Sequence, residues 1–179
     1  MTDRELLDML HDSGRRNAGV SEFIRQFQKP VYYYIRRMVL SHEDADDLTQ
    51  VVFIKAWKGL DGFRGDSKLS TWLYRIAHNE CISFLRSAKR ILDVDIAKLE
   101  VSLGSALQSD VLFSGDEIQA KLQTAIALLP EKQKAVFVMR YYDDLKYEEM
   151  AEITGTSVGA LKASYHHAVQ KIEAYLIEK

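Results

Sequence analysis

The sequence predicts an all-α chain, built as two small helical domains joined by a flexible linker. Apolar residues recur at helical spacing on both sides of the stretch from Ile91 to Gly115. That stretch itself has scattered apolar residues, Ser/Gly/Asp punctuation and no sustained period. The 179 residues, 47% hydrophobic and 28% charged, suffice for one moderate core or two small ones, and the interruption favours two. The expected boundaries are 1–93, a linker over 94–115, and 116–179.

The chain opens with Asp3, Arg4 and Glu5, which predicts no signal peptide, and no apolar run approaches the length of a membrane span. A helix is expected up to His11, a break at Ser13-Gly14 and a second helix from Ser21. In the latter Phe23, Phe27, Val31, Tyr34, Ile35 and Met38 keep helical spacing. Pro30 falls inside this pattern and is expected to kink the helix or mark a restart, because proline removes one helix hydrogen bond. The Tyr32-Tyr33-Tyr34 run reads as packing rather than chemistry.

From Asp44 to about Leu60, a step of about 100° per residue gathers Ala45, Leu48, Val52, Phe53, Ala56 and Leu60 on one flank. Opposite lie Asp47, Gln50, Ile54 and Lys58, so a β-branched apolar residue occupies the face that should be solvated. An exposed Ile framed by a carboxylate and an amide suits a docking surface, although single exposed apolar residues are also common.

The next helix, about Thr71 to Ala88, is expected to bury Leu73, Ile76, Ala77, Cys81 and Phe84. Its other side presents Arg75, Asn79 and Arg86, with Ile82 between them, as one ridge. Arginine neutralises phosphate and asparagine can bond a base edge, so the ridge suits nucleic acid; a solvated polar face is the commoner meaning of such a pattern. Between the two helices LDGFRGDSKLSTW is a loop, with Ser70 placed to cap the helix that follows. Phe63, Trp72 and Tyr74 cluster there, where aromatics can stack on unpaired bases or, for Phe63 at least equally, staple the loop to the core.

After the linker, DEIQAKLQTAIALL reads as a helix with Ile118, Leu122, Ala125, Ile126 and Leu129 as its apolar stripe. Pro130 stops it, and Glu131 to Tyr141 forms another with Val136, Phe137 and Met139 inward. The run LKYEEMAEITGTSVGALKASYHHAVQKIE then has the form of a helix-turn-helix: Ala151 is small where helices approach, Gly155 permits the turn, and Ser157 can cap the second helix. There Leu161, Tyr165, Ala168 and Ile172 point inward, leaving Gly159, Ala160, Lys162, Ala163, His166 and His167 available to a major groove.

A net charge of −2 argues against coating nucleic acid through charge alone. Neither half is a basic module: residues 1–93 hold 15 Lys/Arg against 13 Asp/Glu, and residues 116–179 hold 8 against 10. Tight DNA binding would therefore draw on a larger partner. The single cysteine, Cys81, falls on a buried face, which agrees with a reducing cytoplasm, excludes a disulfide framework and makes a thiolate nucleophile a poor reading. The five histidines show no metal-ligand spacing, no glycine-rich phosphate loop occurs, and the cluster Glu43, Asp44, Asp46, Asp47 is more simply a helix N-terminus than a metal site. No catalytic residue, metal or cofactor is expected.

The run DADDLTQVVFIKAWKGLDGFRGDSKLSTWLYRIAHNECISFLR resembles, over about forty residues without a gap, region two of the bacterial extracytoplasmic-function (ECF) sigma factors. Their pattern is an acidic D-x-x-Q-x-x-F helix followed by F-x-G-x-S-x-x-x-T-W-L-x-R-I-A-x-N. A second run, LPEKQKAVFVMRYYDDLKYEEMA, resembles region four of the same family, and the two stand in the family's order. The resemblance implies that Asp47, Gln50 and Ile54 belong to the face gripping the coiled coil of the large catalytic subunit of RNA polymerase. It implies that Arg75 and Asn79 lie on the helix reading the minus-ten promoter element, and that the helix-turn-helix reads the minus-thirty-five element.

By the same resemblance the partners are core RNA polymerase, promoter DNA and an anti-sigma factor, with no membrane insertion, and the function is promoter-specific initiation in response to stress or an envelope signal. Two departures stand out. Ser164 and His167 occupy positions where many ECF sigma factors carry arginine, and Ser83 replaces an Asp often found four residues after the equivalent of Asn79. The alternative readings are a stand-alone helix-turn-helix regulator, which would lack the polymerase grip, and, more remotely, an enzyme or metal protein built on helices.

Overall fold

The computed structural model describes residues 1–91 and 117–178. The expected linker, 94–115, and both of its edges lie outside them. Among the described residues the ordered elements are eight α-helices and one 3-10 turn: α1 (Asp3–His11), α2 (Arg16–Val39), α3 (His42–Gly59), the 3-10 turn Leu60–Gly62, α4 (Leu69–Ile91), α5 (Glu117–Ala127), α6 (Glu131–Tyr141), α7 (Tyr147–Thr154) and α8 (Val158–Glu178). They form two compact units, Met1–Cys81 with Glu148–Gly155, and Ile82–Tyr147 with Thr156–Lys179.

In the first unit, α1 starts at a reciprocal cap. Thr2 Oγ1 accepts from the Glu5 amide at 3.2 Å while the Glu5 carboxylate accepts from the Thr2 amide at 2.7 Å. These bonds, the one to the Thr2 backbone first, hold the Glu5 carboxyl below its usual range. Asp12 Oδ1 accepts from the Gly14 amide at 2.8 Å and turns the chain, so α2 begins at Arg16, five residues before the expected start. The early start packs Gly19 beneath α1: a Cβ there would lie 3.1 Å from backbone atoms of Met9 and Leu10. Pro30 neither stops nor restarts α2. It sits on the exposed side, where water can satisfy the carbonyl that loses its amide partner.

The core of this unit joins Leu6 and Leu10 of α1, the Phe23 to Met38 stripe of α2, and Ala45, Val52 and Ala56 of α3. Leu48 and Phe53 are only half-buried, and Thr49 takes an inward place by bonding its hydroxyl to the Ala45 carbonyl at 2.7 Å. On α4 the buried face is rotated from the expected one. Tyr74, His78 and Ile82 are buried, whereas Ile76 and Phe84 are half-buried. The reason is polar: the Tyr34 hydroxyl meets His78 Nδ1 at 3.1 Å inside the core, and the Tyr34 and Tyr74 rings lie 5.4 Å apart.

The cap of α4 also differs from expectation. Ser70 is already helical, and the Leu69 amide donates to Asp3 Oδ2 at 2.8 Å, so the first turn is capped from the opposite end of the unit's sequence.

In the second unit α5, α6 and α8 enclose Ala125, Ile126, Leu129, Ala135 to Met139, Leu161, Ala168 and Ile172. Ile118, expected in the apolar stripe of α5, is exposed, and Leu122 is half-buried; Gln123 and Thr124 are buried instead. The amide nitrogen of Gln123 donates to the Tyr142 hydroxyl at 2.5 Å, and the Thr124 hydroxyl donates to the Ala120 carbonyl at 2.9 Å, so each side chain enters the core with one hydrogen bond, while Gln123 Oε1 is buried without one. Phe137 stacks on Tyr141 and Tyr165 with centroids 5.1 and 5.8 Å apart.

The cross-chain cap gives a direct test. Asp3→Ala should lower stability by about 1 kcal/mol, with Asp3→Asn losing less because its amide oxygen still accepts. Denaturation midpoints measured for the two variants check the order.

Candidate nucleic-acid interface

The exposed side of α3 follows from its period. Asp47, Gln50 and Lys58 are exposed, and Ile54 keeps 54% of its surface in water. Ile54 does not stand alone. Ile24 of α2 and Trp57 of α3 are also exposed, and with Phe23, Phe53 and Leu60 these residues line an apolar groove of about 250 Å³. Sequence reasoning missed Ile24 and Trp57, although Ile24 lies off the buried stripe of α2 and Trp57 follows Ile54 by one helical turn. Arg16 covers one rim, its guanidinium 4.7 Å from the Trp57 ring and 3.0 Å from Asp61.

Gln50 lines a different, more polar groove of about 450 Å³ with Gln28, Lys29, Tyr32 and Asp46. At its edge the Tyr32 hydroxyl meets His42 Nδ1 at 2.5 Å, and His42 Nε2 lies 3.5 Å from Asp46. The exposed side of α3 thus borders two grooves, one apolar at Ile54 and one polar at Gln50, where the sequence suggested a single face.

On α4, Arg75 and Asn79 are exposed one turn apart, as the period requires. Next to Asn79, Glu80 pairs with Lys55 of α3. Arg86 is exposed as well, but its Nε lies 3.5 Å from Glu131. Ile82, expected to sit out on the ridge, is 9% exposed. The aromatics divide. Phe63 is 8% exposed and Tyr74 7%, whereas Trp72 is half-buried. Phe63 packs on Trp72 with centroids 4.9 Å apart, and the edge of the Trp72 ring would lie 3.1 Å from a Cβ on Gly59. Of the two roles the sequence left open, Phe63 takes that of stapling the loop; the expectation is corrected at Tyr74, which belongs to the core, and Trp72 alone keeps a half-open ring.

In the second candidate surface, Gly155 takes φ +70°, a value glycine adopts without strain, between α7 and α8. The Ala160 amide donates to Ser157 Oγ at 3.2 Å, the expected cap. Leu161, Ala168 and Ile172 are buried, Tyr165 is half-buried, and Gly159, Ala160, Lys162, Ala163, His166 and His167 are all exposed. The side chains that could enter a groove therefore share one face of α8.

The described residues are all helical or turn and loop, and a basic and amide ridge on one helix with an open second helix after a glycine turn fits a DNA-binding protein of transcription. Residues 23–91 match the model of Sigma-70 region 2, and residues 119–172 match that of Sigma-70, region 4. The RNA polymerase sigma factor YlaC of Bacillus subtilis is 30% identical over 155 residues, covering 86% of this chain and 90% of its own. The ECF RNA polymerase sigma-E factor of Escherichia coli K12 is 32% identical over 181 aligned positions, covering 97% and 93%. Among solved structures, CnrH in complex with the cytosolic domain of CnrY matches with a TM-score of 0.73 at 21% identity, covering 99% of this chain and 98% of that one. The sigma factor RpoE in complex with the anti-sigma factor NepR from Bartonella quintana matches with a TM-score of 0.66 at 20% identity, covering 87% and 95%. These two likenesses establish the fold.

The chain belongs to the ECF RNA polymerase sigma factors of the sigma-70 family. It binds core RNA polymerase and directs promoter-specific transcription initiation, which sets aside the stand-alone regulator.

The burial of Tyr74 separates stability from DNA contact. Tyr74→Ala should cost about 3 kcal/mol, in the range for truncating a buried aromatic, and thermal or chemical unfolding of the variant measures it.

Proposed function

We propose that the two exposed faces of the first unit divide the work of initiation. The α3 face, with Asp47, Gln50 and Ile54, docks on the coiled coil of the large catalytic subunit of polymerase, and the α4 ridge engages the minus-ten element. The observation that carries this reading is Ile54, an exposed β-branched residue bordering an apolar groove on a helix whose other flank packs Ala45, Val52 and Ala56 into the core. An apolar side chain so placed gains from burial against a partner.

On α4, Arg75 anchors phosphate and Asn79 meets the edge of an unstacked base, with Trp72 supporting the melted strand. Arg86 exchanges Glu131 for phosphate when DNA is present. The exposed face of α8, from Gly159 to His167, reads the minus-thirty-five element in the major groove. Residues 1–93 and 116–179 serve as the two domains of this division, with 94–115 as their linker.

A net charge of −2 leaves the chain dependent on polymerase for tight promoter binding. It also suits control by an antagonist that covers the docking faces; the structural neighbour RpoE is in complex with an anti-sigma factor, NepR. An anti-sigma factor competing with polymerase would shift the chain between idle and active pools by linkage. The setting is the cytoplasm, where polymerase acts; among the described residues no helix is long and apolar enough to cross a membrane. The response is to stress or an envelope signal. Incubating the purified chain with core polymerase and a promoter library tests the whole reading, because initiation from a selected set of fragments is the expected result.

Two substitutions resolve the parts. Ile54→Glu should leave the fold intact and weaken core binding by about 2 kcal/mol, roughly thirty-fold, in a titration with labelled chain. Asn79→Ala should lose about 1–3 kcal/mol of discrimination at one promoter position, while Arg75→Ala weakens all promoters alike. Transcription from promoters varied one base at a time distinguishes the two patterns.

A further inference from the structure

Lys162 is the only fixed positive charge among the exposed residues of the α8 reading face, where Gly159, Ala160 and Ala163 carry no polar side chain and His166 and His167 are imidazoles. With Ser164 in a place the family often gives to arginine, the phosphate contact of this helix falls heavily on one flexible ammonium. The structure shows what that ammonium rests on. Lys162 Nζ lies 5.7 Å from the centroid of the Tyr147 ring, within the range over which a ring face attracts a cation.

Tyr147 is not placed by Lys162. It is the first residue of α7, half-buried, and the Arg140 guanidinium lies 5.0 Å from the same ring. Arg140 is tied in turn to the loop before α7: its Nη1 donates to the Leu145 carbonyl at 3.0 Å and lies 3.9 Å from the Asp144 carboxylate. Asp144 thus offsets part of the repulsion between two cations sharing one ring. The ring is half-buried and flanked by Arg140, and the exposed lysine reaches it from α8.

We propose that Tyr147 is a positioning residue for promoter recognition: its ring confines the Lys162 ammonium at the reading face of α8 and thereby raises the affinity of that helix for DNA. The proposal rests on the reading of α8 as the minus-thirty-five helix. A free lysine side chain loses rotamer freedom when it seats on phosphate. A platform that has already restricted it removes part of that loss before DNA arrives, so the benefit appears as tighter binding to every sequence rather than as base preference.

The test uses holoenzyme assembled from the full chain and core polymerase, binding promoter fragments at several salt concentrations. Lys162→Ala should weaken binding and reduce the salt slope by about one. Tyr147→Leu should weaken binding about three-fold, Tyr147→Phe should restore it, and Tyr147→Leu should add nothing in the Lys162→Ala background. Equal weakening by Tyr147→Leu in both backgrounds, or tighter binding by Tyr147→Leu alone, overturns the positioning role and leaves the reading of α8 intact. No effect of Lys162→Ala sinks the reading of α8 and the proposal with it. Because Tyr147→Leu can disturb the start of α7, a shape-preserving series at position 147, from phenylalanine through its mono-, di- and trifluorinated forms, provides a second measure. Affinity should fall stepwise as fluorine drains the ring face, and a flat series overturns the proposal.

Discussion

The Tyr34 hydroxyl and His78 Nδ1, 3.1 Å apart in the core, fix more than the contact between two helices. Both groups are out of water, and a buried hydroxyl or imidazole left without its partners costs about 1–3 kcal/mol. The pair therefore sets how α4 is rolled about its axis. With Tyr74 and His78 held inward one turn apart, their sequence neighbours Arg75 and Asn79 are carried about 100° round the helix and face solvent. The polar ridge is thus a consequence of a polar core, and the two would be lost together if α4 turned.

The same economy governs the other elements of the first unit. Asp3, at the start of the chain, closes the first turn of α4, and Gly19 lets α1 lie against the backbone of α2. The groove beside Ile54 is lined by side chains of α2 and α3, whose backbones belong to that frame. A preformed apolar groove avoids the ordering cost that a mobile docking segment would pay on meeting its partner.

Much of this was legible in the chain. The exposure of Asp47, Gln50, Ile54, Arg75 and Asn79 follows from helical period alone, as does the open face of α8, because those helices are long and their buried flanks are strongly apolar. The limits of the sequence reading are equally physical. Periodicity counts apolar residues, so it could not place His78 or Gln123 inside, where each is admitted by a hydroxyl from a distant part of its unit. Nor could it distinguish a core aromatic from an open one at the start of α4, where Trp72 and Tyr74 are two residues apart and face differently. Ser70 was the better local cap, yet Asp3 reaches the amide of Leu69 across 66 positions, a contact that no window of sequence contains. Pro30 did not break α2, and it lies on the exposed side of that helix.

Cys81, the one cysteine of the chain, is fully buried. A thiol so enclosed is slow to meet maleimides or other surface reagents while the protein stays folded. Any pair of cysteines introduced at exposed sites, such as Asp8 and Gln170, would then be the preferred points of attachment for dyes without first removing the natural one. The chain is in this respect suited to single-molecule distance measurements, in which the separation of its two units could be followed as polymerase and promoter are added.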